Sequence, residues 1–391
     1  MEEASPLLLN SGAVQKSKWK LFAEETKKVG YIAAPMVVVT VSQHLSRVAS
    51  MMMVGHLGEL ALSGAAVATS FTNVSGLSLL SLIRYLQTQS LILPMVLSSI
   101  AALSFHVPVC WVLVFKANLG IAGAALAIGL SYWLNVVLLA LYVKYSSTCE
   151  RTRAAWSRDV LPSVREFFCF AVPSAVMVCL EWWSFEIVVL LSGLLPNPQL
   201  ETSVLSICLL VASSHYFIPY SIGAAASTRV SNELGAGCPD RARASTWSAM
   251  VLSLSEAVIS CSILLSFRHV LGYAFSNEKE VVNYLQEISP FVCLLLFMDC
   301  IQAVLSVLGV ARGSGWQHLG AYVNLGAYYL AGLPTAAVLG FALRLRGKGL
   351  WFGLNVGSIV QSILLSLLAC FTNWKRQALS ARERMAECGR K

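Results

Sequence analysis

Ten apolar runs, each of a length that can cross a bilayer as a helix, recur along this chain. They fall at 29–55, 62–83, 91–115, 119–143, 167–194, 202–227, 244–266, 285–310, 318–342 and 349–372. A hydrocarbon core about 30 Å thick takes about 20 helical residues to cross, and it offers no water to an unpaired peptide group. The expected fold is therefore all-α: a polytopic membrane protein of about ten transmembrane helices. Composition agrees. Of the 391 residues 12% are charged and 57% hydrophobic, whereas about a quarter of a soluble domain is charged. A soluble enzyme, a disordered tail and a nucleic-acid partner are excluded, and the lipid bilayer is the expected surroundings.

The formal charge of +8 then marks loops. Lys and Arg gather on the cytosolic side of membrane proteins. With the N-terminus inside, 21 of the 28 basic residues fall in cytosolic segments, six fall outside, and Arg47 lies within a span. Both termini are expected in the cytosol. The first 28 residues hold nine charges and no long apolar core, so the first span itself is expected to direct insertion. The longest polar connector, Lys144 to Arg165, separates four runs from six. This divides the chain into a cytosolic tail (1–28), a four-helix part (29–143), a cytosolic loop (144–166), a six-helix part (167–372) and a basic cytosolic tail (373–391).

The two parts read as one repeat. Pro35 opens a helix in A-A-P-M, with Gln43 eight residues on and Gly55 twenty on; Pro173, Glu181 and Gly193 repeat that spacing. Pro108 and Gly120 precede one span as Pro334 and Gly349 precede another. Both parts start in the cytosol, so the repeat is parallel, about an axis along the membrane normal. If the unit has six spans, the first part lacks two.

Acids inside spans are the informative groups: Glu181, Glu186, Glu256 and Asp299. A charge at a helix centre costs about 2.5–3.5 kcal/mol on insertion scales, and such groups mark ion or proton pathways. An apolar setting favours the neutral form of an acid, which suits reversible protonation. The alternative for each is a neutral acid bonded to a neighbouring helix. Function is favoured for Glu181 and Asp299, packing for Glu256, and Glu186 is even. Trp182 and Trp183 beside Glu181 suit an organic cation, and are equally readable as interfacial residues. Asn324, Tyr328 and Tyr329 form a polar, aromatic stripe, either cavity lining or interhelical bonding. His44 and Arg47 share a helix face, where snorkelling of Arg47 is favoured over anion binding.

No enzyme signature is present: no G-x-S-x-G, no H-E-x-x-H, no Walker A sequence. The six histidines show no metal spacing, and the eleven cysteines form no C-x-x-C pair. No metal or other cofactor is expected. A secondary transporter is the leading reading, ahead of a channel and an intramembrane enzyme.

Several segments together resemble one family. They are A-A-P-M-V at 33–37, V-S-Q at 41–43, M-M-M-V-G-H-L-G-E-L at 51–60 and L-S-G-A-A-V-A-T-S-F at 62–71. L-Q-T-Q at 86–89, C-L-E-W-W at 179–183, R-V-S-N-E-L-G-A-G at 229–237 and G-V-A-R-G-S-G-W-Q at 309–317 continue it. The chain is similar to MATE (multidrug and toxic compound extrusion) proteins, in their plant DETOXIFICATION branch. The resemblance implies two six-helix lobes around a central cavity and efflux of small organic compounds in exchange for protons. It also implies that Glu181 and Asp299 are the proton-responsive acids. Trp182, Gln43, Asn324 and Tyr328 are the candidate cavity residues.

Two departures stand out. After Gly76-Leu77-Ser78-Leu79-Leu80 the family runs through two further helices before L-Q-T-Q, which here arrives at Leu86; and Arg47 replaces an uncharged position. The N-terminal lobe is thus expected to keep four helices. A transport-inactive relative retained as a partner or decoy is the second reading. The vacuolar and plasma membranes are both open as locations.

Overall fold

The computed structural model describes residues 6–55, 77–150, 152, 160–275, 278–306 and 310–388. Among them are fourteen α-helices and no strand. The first four are α1 (Pro6–Gly55), α2 (Leu77–Thr88), α3 (Leu93–Trp111) and α4 (Gly120–Tyr145). Then come α5 (Val160–Ser192), α6 (Pro198–His215), α7 (Phe217–Gly235), α8 (Pro239–Leu271) and α9 (Lys279–Leu305). The last are α10 (Val310–Ser314), α11 (Gln317–Asn324), α12 (Leu333–Ala337), α13 (Arg346–Phe371) and α14 (Trp374–Cys388).

Nine described stretches are long and apolar enough to cross a membrane. Six of them, from Ala171–Ser192 to Arg346–Phe371, fall in the expected six-helix part. The run expected at 62–83 lies mostly outside the described residues, with α2 carrying its end. The side chain of Arg47 is likewise outside them. The first stretch, Trp19–Ser50, starts ten residues before the expected boundary at 29. Its 32 residues rise about 48 Å, which exceeds the hydrocarbon thickness, so its charged first turns need not enter lipid.

Neither Pro35 nor Pro173 opens a helix, contrary to expectation. Pro35 lies inside α1 and Pro173 inside α5. A proline removes one donor and frees one carbonyl, a defect that a membrane helix tolerates when neighbours satisfy it. The preceding turns are built from good helix formers such as Lys20, Leu21, Ala23 and Glu24, so the helix does not wait for proline.

The chain divides into two compact units. Ile32–Val160 forms one; Met1–Tyr31 and Leu161–Lys391 form the other. In the second, α9 is the central helix. Its buried side chains Leu285, Ile288, Leu295 and Leu296 join Val204, Leu205, Trp351 and Leu354 in the core. By contrast α8 keeps Val251, Val258, Ile259 and Ile263 exposed, the face a lipid-contacting helix shows. The N-terminal end of α1 is tied into the same unit. Glu25 is fully buried, accepting from Arg229 Nη2 at 2.8 Å, Ser245 Oγ at 2.7 Å and Lys28 Nζ at 2.8 Å. Arg229 also pairs with Glu233. A buried carboxylate persists only with such partners.

In the first unit His106 is fully buried, 3.0 Å from Ser50 and 2.9 Å from Ser131, joining α1, α3 and α4. It is a satisfied core histidine.

The repeat is written in the backbone. Four residues after Pro108 a π-helical segment begins, Val112–Lys116, and four after Pro334 another, Val338–Ala342. Asn118 and Arg344 then both take positive φ, as do Gly120 and Arg346. The turns close alike: Leu119 N–H donates to Leu113 O at 3.1 Å, and Leu345 N–H to Leu339 O at 3.0 Å. The counterpart of Gly120 is therefore Arg346, not Gly349. Gly349 corresponds to Gly123, and both lie where a Cβ would strike the backbone of the π segment, at Leu339 and Leu113 respectively.

Candidate functional site

Glu181 and Asp299, 118 residues apart, line one pocket of the C-terminal unit together with Trp182, Phe185, Ser213 and Tyr216. Asp299 is 7% exposed. Tyr216 sits at the break between α6 and α7, and its ring meets Trp182 edge-on at 6.3 Å. The wall thus pairs two acids with aromatic faces, a combination suited to cationic or hydrogen-bonding organic molecules. Trp183 and Glu186 are exposed and do not line the pocket.

A chain of side-chain hydrogen bonds holds Glu181. Asn324 Nδ2 and Gln361 Nε2 each donate to its Oε2 at 3.2 Å. Gln361 Nε2 also donates to Asn324 Oδ1 at 2.7 Å, and Asn324 Nδ2 to the Met177 carbonyl at 2.8 Å. Tyr328 Oη donates to Gln361 Oε1 at 2.8 Å and lies 3.3 Å from Gln302 Oε1. Gln302 in turn donates to the Ser358 carbonyl at 2.9 Å. The network joins α5, α9, α11, the π-helical segment Leu325–Gly332 and α13. Buried amides with their partners in place fix rotamers, so the acid is held in one orientation.

Close helix packing makes this possible. Gly349, Gly353 and Gly357 bring α13 against the 325–342 stretch; a Cβ on Gly357 would lie 2.8 Å from the Tyr328 ring. Small residues at four-residue spacing allow such approach between membrane helices. As a result Asn324 and Tyr328 are fully buried behind the pocket wall, and support Glu181 instead of lining the pocket. Gln43 belongs to the other unit, where its Nε2 is buried without a partner among the described residues. Sequence reading missed Gln361. Its signal was present: Asn355, Ser358, Gln361 and Ser362 share one face of an otherwise apolar helix. Asn135, 27 residues after Pro108 as Gln361 is after Pro334, holds the matching place in the first unit.

Glu256 lies apart from the Glu181 network. Its carboxylate is 3.0 Å from His215 Nε2, 2.5 Å from Ser260 Oγ and 3.1 Å from Cys300 Sγ.

Residues 173–338 match the MatE family. Protein DETOXIFICATION 14 of Arabidopsis thaliana is 44% identical, over 97% of this chain and 95% of the relative. The chain belongs to the MATE family. Protein DETOXIFICATION 3 of the same plant is also 44% identical, over 95% of each protein. The crystal structure of the eukaryotic MATE transporter AtDTX14 superposes with a TM-score of 0.87, covering 93% of this chain and 99% of that one, at 44% identity. A point mutant of the Vibrio cholerae MATE transporter VcmN shares the fold, with a TM-score of 0.72 at 14% identity over 91% of this chain and 99% of that one. This MATE protein is a multi-pass membrane transporter and not an enzyme. Its alignment to DETOXIFICATION 14 runs over 462 positions against 391 residues here, so at least 71 of them have no counterpart in this chain. That length accommodates two helices of about 20 residues with their connections.

Proposed function

We propose that this MATE transporter exports organic compounds in exchange for protons, with Glu181 and Asp299 as the coupling acids. The observation that carries the reading is their meeting in one aromatic-walled pocket from helices far apart in sequence. On the cytosolic side the deprotonated acids hold a cationic or hydrogen-bonding substrate. On the acidic side, proton uptake neutralises them and releases it. Both network donors to Glu181 fall on Oε2, so a proton on Oε1 leaves the support in place. The lobes run over 29–143 and 167–372, joined by the cytosolic 144–166 loop, with cytosolic tails at 1–28 and 373–391. The acidic compartment is the vacuole lumen or the cell exterior.

The test is exchange in proteoliposomes with an imposed pH gradient. Glu181→Gln and Asp299→Asn should each abolish pH-driven uptake while the proteins insert and purify normally. Full pH dependence in both variants would show the acids to be structural.

A further inference from the structure

Three side chains from three helices of the C-terminal unit converge beside the pocket: His215 at the end of α6, Glu256 within α8 and Cys300 on α9. His215 Nε2 lies 3.0 and 3.2 Å from the two Glu256 oxygens, and Cys300 Sγ lies 3.1 Å from Oε2. One ligand atom from each falls within 4.8 Å of the others. We propose that His215, Glu256 and Cys300 bind a soft divalent cation of the zinc class.

Charge, size and access support the assignment. A thiolate, a carboxylate and a neutral imidazole sum to minus two, so the loaded site is neutral, the form a low-dielectric interior admits. Zinc bonds of about 2.0–2.3 Å put tetrahedral ligand atoms about 3.3–3.7 Å apart, so these donors need shift only by fractions of an ångström to about one. Binding exchanges protons in balance. The Cys300 S–H proton leaves to solvent, and the imidazole proton moves from Nε2 to Nδ1. Nδ1 is buried with no partner among the described residues, so that move breaks only the bond the metal replaces. The His215 and Glu256 side chains keep 8% and 14% of their surface accessible, which supplies a route in. A fourth coordination position stays open, as in zinc sites with three protein ligands. Mixed N, O and S donors select zinc or cadmium over magnesium. A bound ion would pin α6, α8 and α9 to one another and slow any exchange that requires them to slide.

Cadmium titration of the purified, metal-free protein tests this through the ultraviolet thiolate-to-metal absorption band. The wild type should bind one more cadmium per chain with this band than Cys300→Ser does. His215→Gln should weaken that event at least about tenfold. Zinc should compete and magnesium should not. In the zinc-loaded wild type, X-ray absorption should show a single sulfur with nitrogen and oxygen neighbours. Superimposable titrations of the wild type and Cys300→Ser, equal competition by magnesium, or a zinc shell without sulfur would each overturn the assignment. The absorption measurement needs no variant, so it decides the matter even where Cys300→Ser folds poorly.

Discussion

Gly353→Ala is the most economical probe of how the pocket is held. A Cβ there would lie 2.3 Å from both the Cα and the N of Ala336, and 2.4 Å from its Cβ. Carbon atoms settle at about 3.5–4.0 Å, so α13 and α12 would have to part by more than about 1 Å. Overpacking commonly costs about 1–3 kcal/mol. Here backbone meets backbone and no rotamer offers relief, so about 3 kcal/mol is expected. The same displacement would stretch the 2.8 Å bond between Tyr328 and Gln361 past hydrogen-bonding range and loosen Glu181. Thermal unfolding in detergent, followed by size-exclusion chromatography, should show a clear drop in midpoint, with impaired exchange. Gly326→Ala is the control, since a Cβ there meets nothing within 4 Å; it should match the wild type. Equal midpoints for the Gly353 and Gly326 variants would refute the argument that this close approach supports the site.

Other outcomes follow from the same structure. Tyr328→Phe strands the Gln361 carbonyl oxygen, and should cost about 1–3 kcal/mol in thermal unfolding. Glu25→Ala unpairs one side of Arg229, which keeps Glu233; a loss of about 3 kcal/mol is expected, at the low end for a broken buried pair. Terminal tags should stay inaccessible in intact protoplasts and become labelled only on permeabilisation; surface labelling would invert the topology. Inserting two helices from a relative between Leu80 and Leu86 should raise detergent stability and exchange rate, and equal values for both forms would remove any role for the missing pair.

Much of the fold was legible because hydropathy alone decides where helices cross a bilayer. The acids were legible for a related reason, since a carboxylate in an apolar run stands out. What was not legible depended on neighbours. Pro35 and Pro173 resemble helix starts, yet other helices decide whether the freed carbonyl can be tolerated. The pairing of Gly120 with Gly349 slipped by three residues because glycine identity was matched where positive φ was the shared feature, and Arg346 takes that φ at 54°. His215, Glu256 and Cys300 lie 41 and 44 residues apart, a spacing that means nothing until three helices are packed. Gln361 was within reach from the polar face of its own helix.

The 204 residues between Glu25 and Arg229 also set a timetable. At about 5–20 residues per second, a ribosome needs about 10–40 s to travel that distance. Throughout that interval the first helix exists while the surface that will bury its acid has not been made. Its apolar half can enter the bilayer at once, but Lys20, Glu24, Glu25, Lys27 and Lys28 have to wait in water. The start of the polypeptide is thus a late joiner in its own assembly. A cysteine at position 25 should react with a soluble thiol reagent in nascent chains stalled before Arg229 is made, and become shielded once α7 and α8 have emerged.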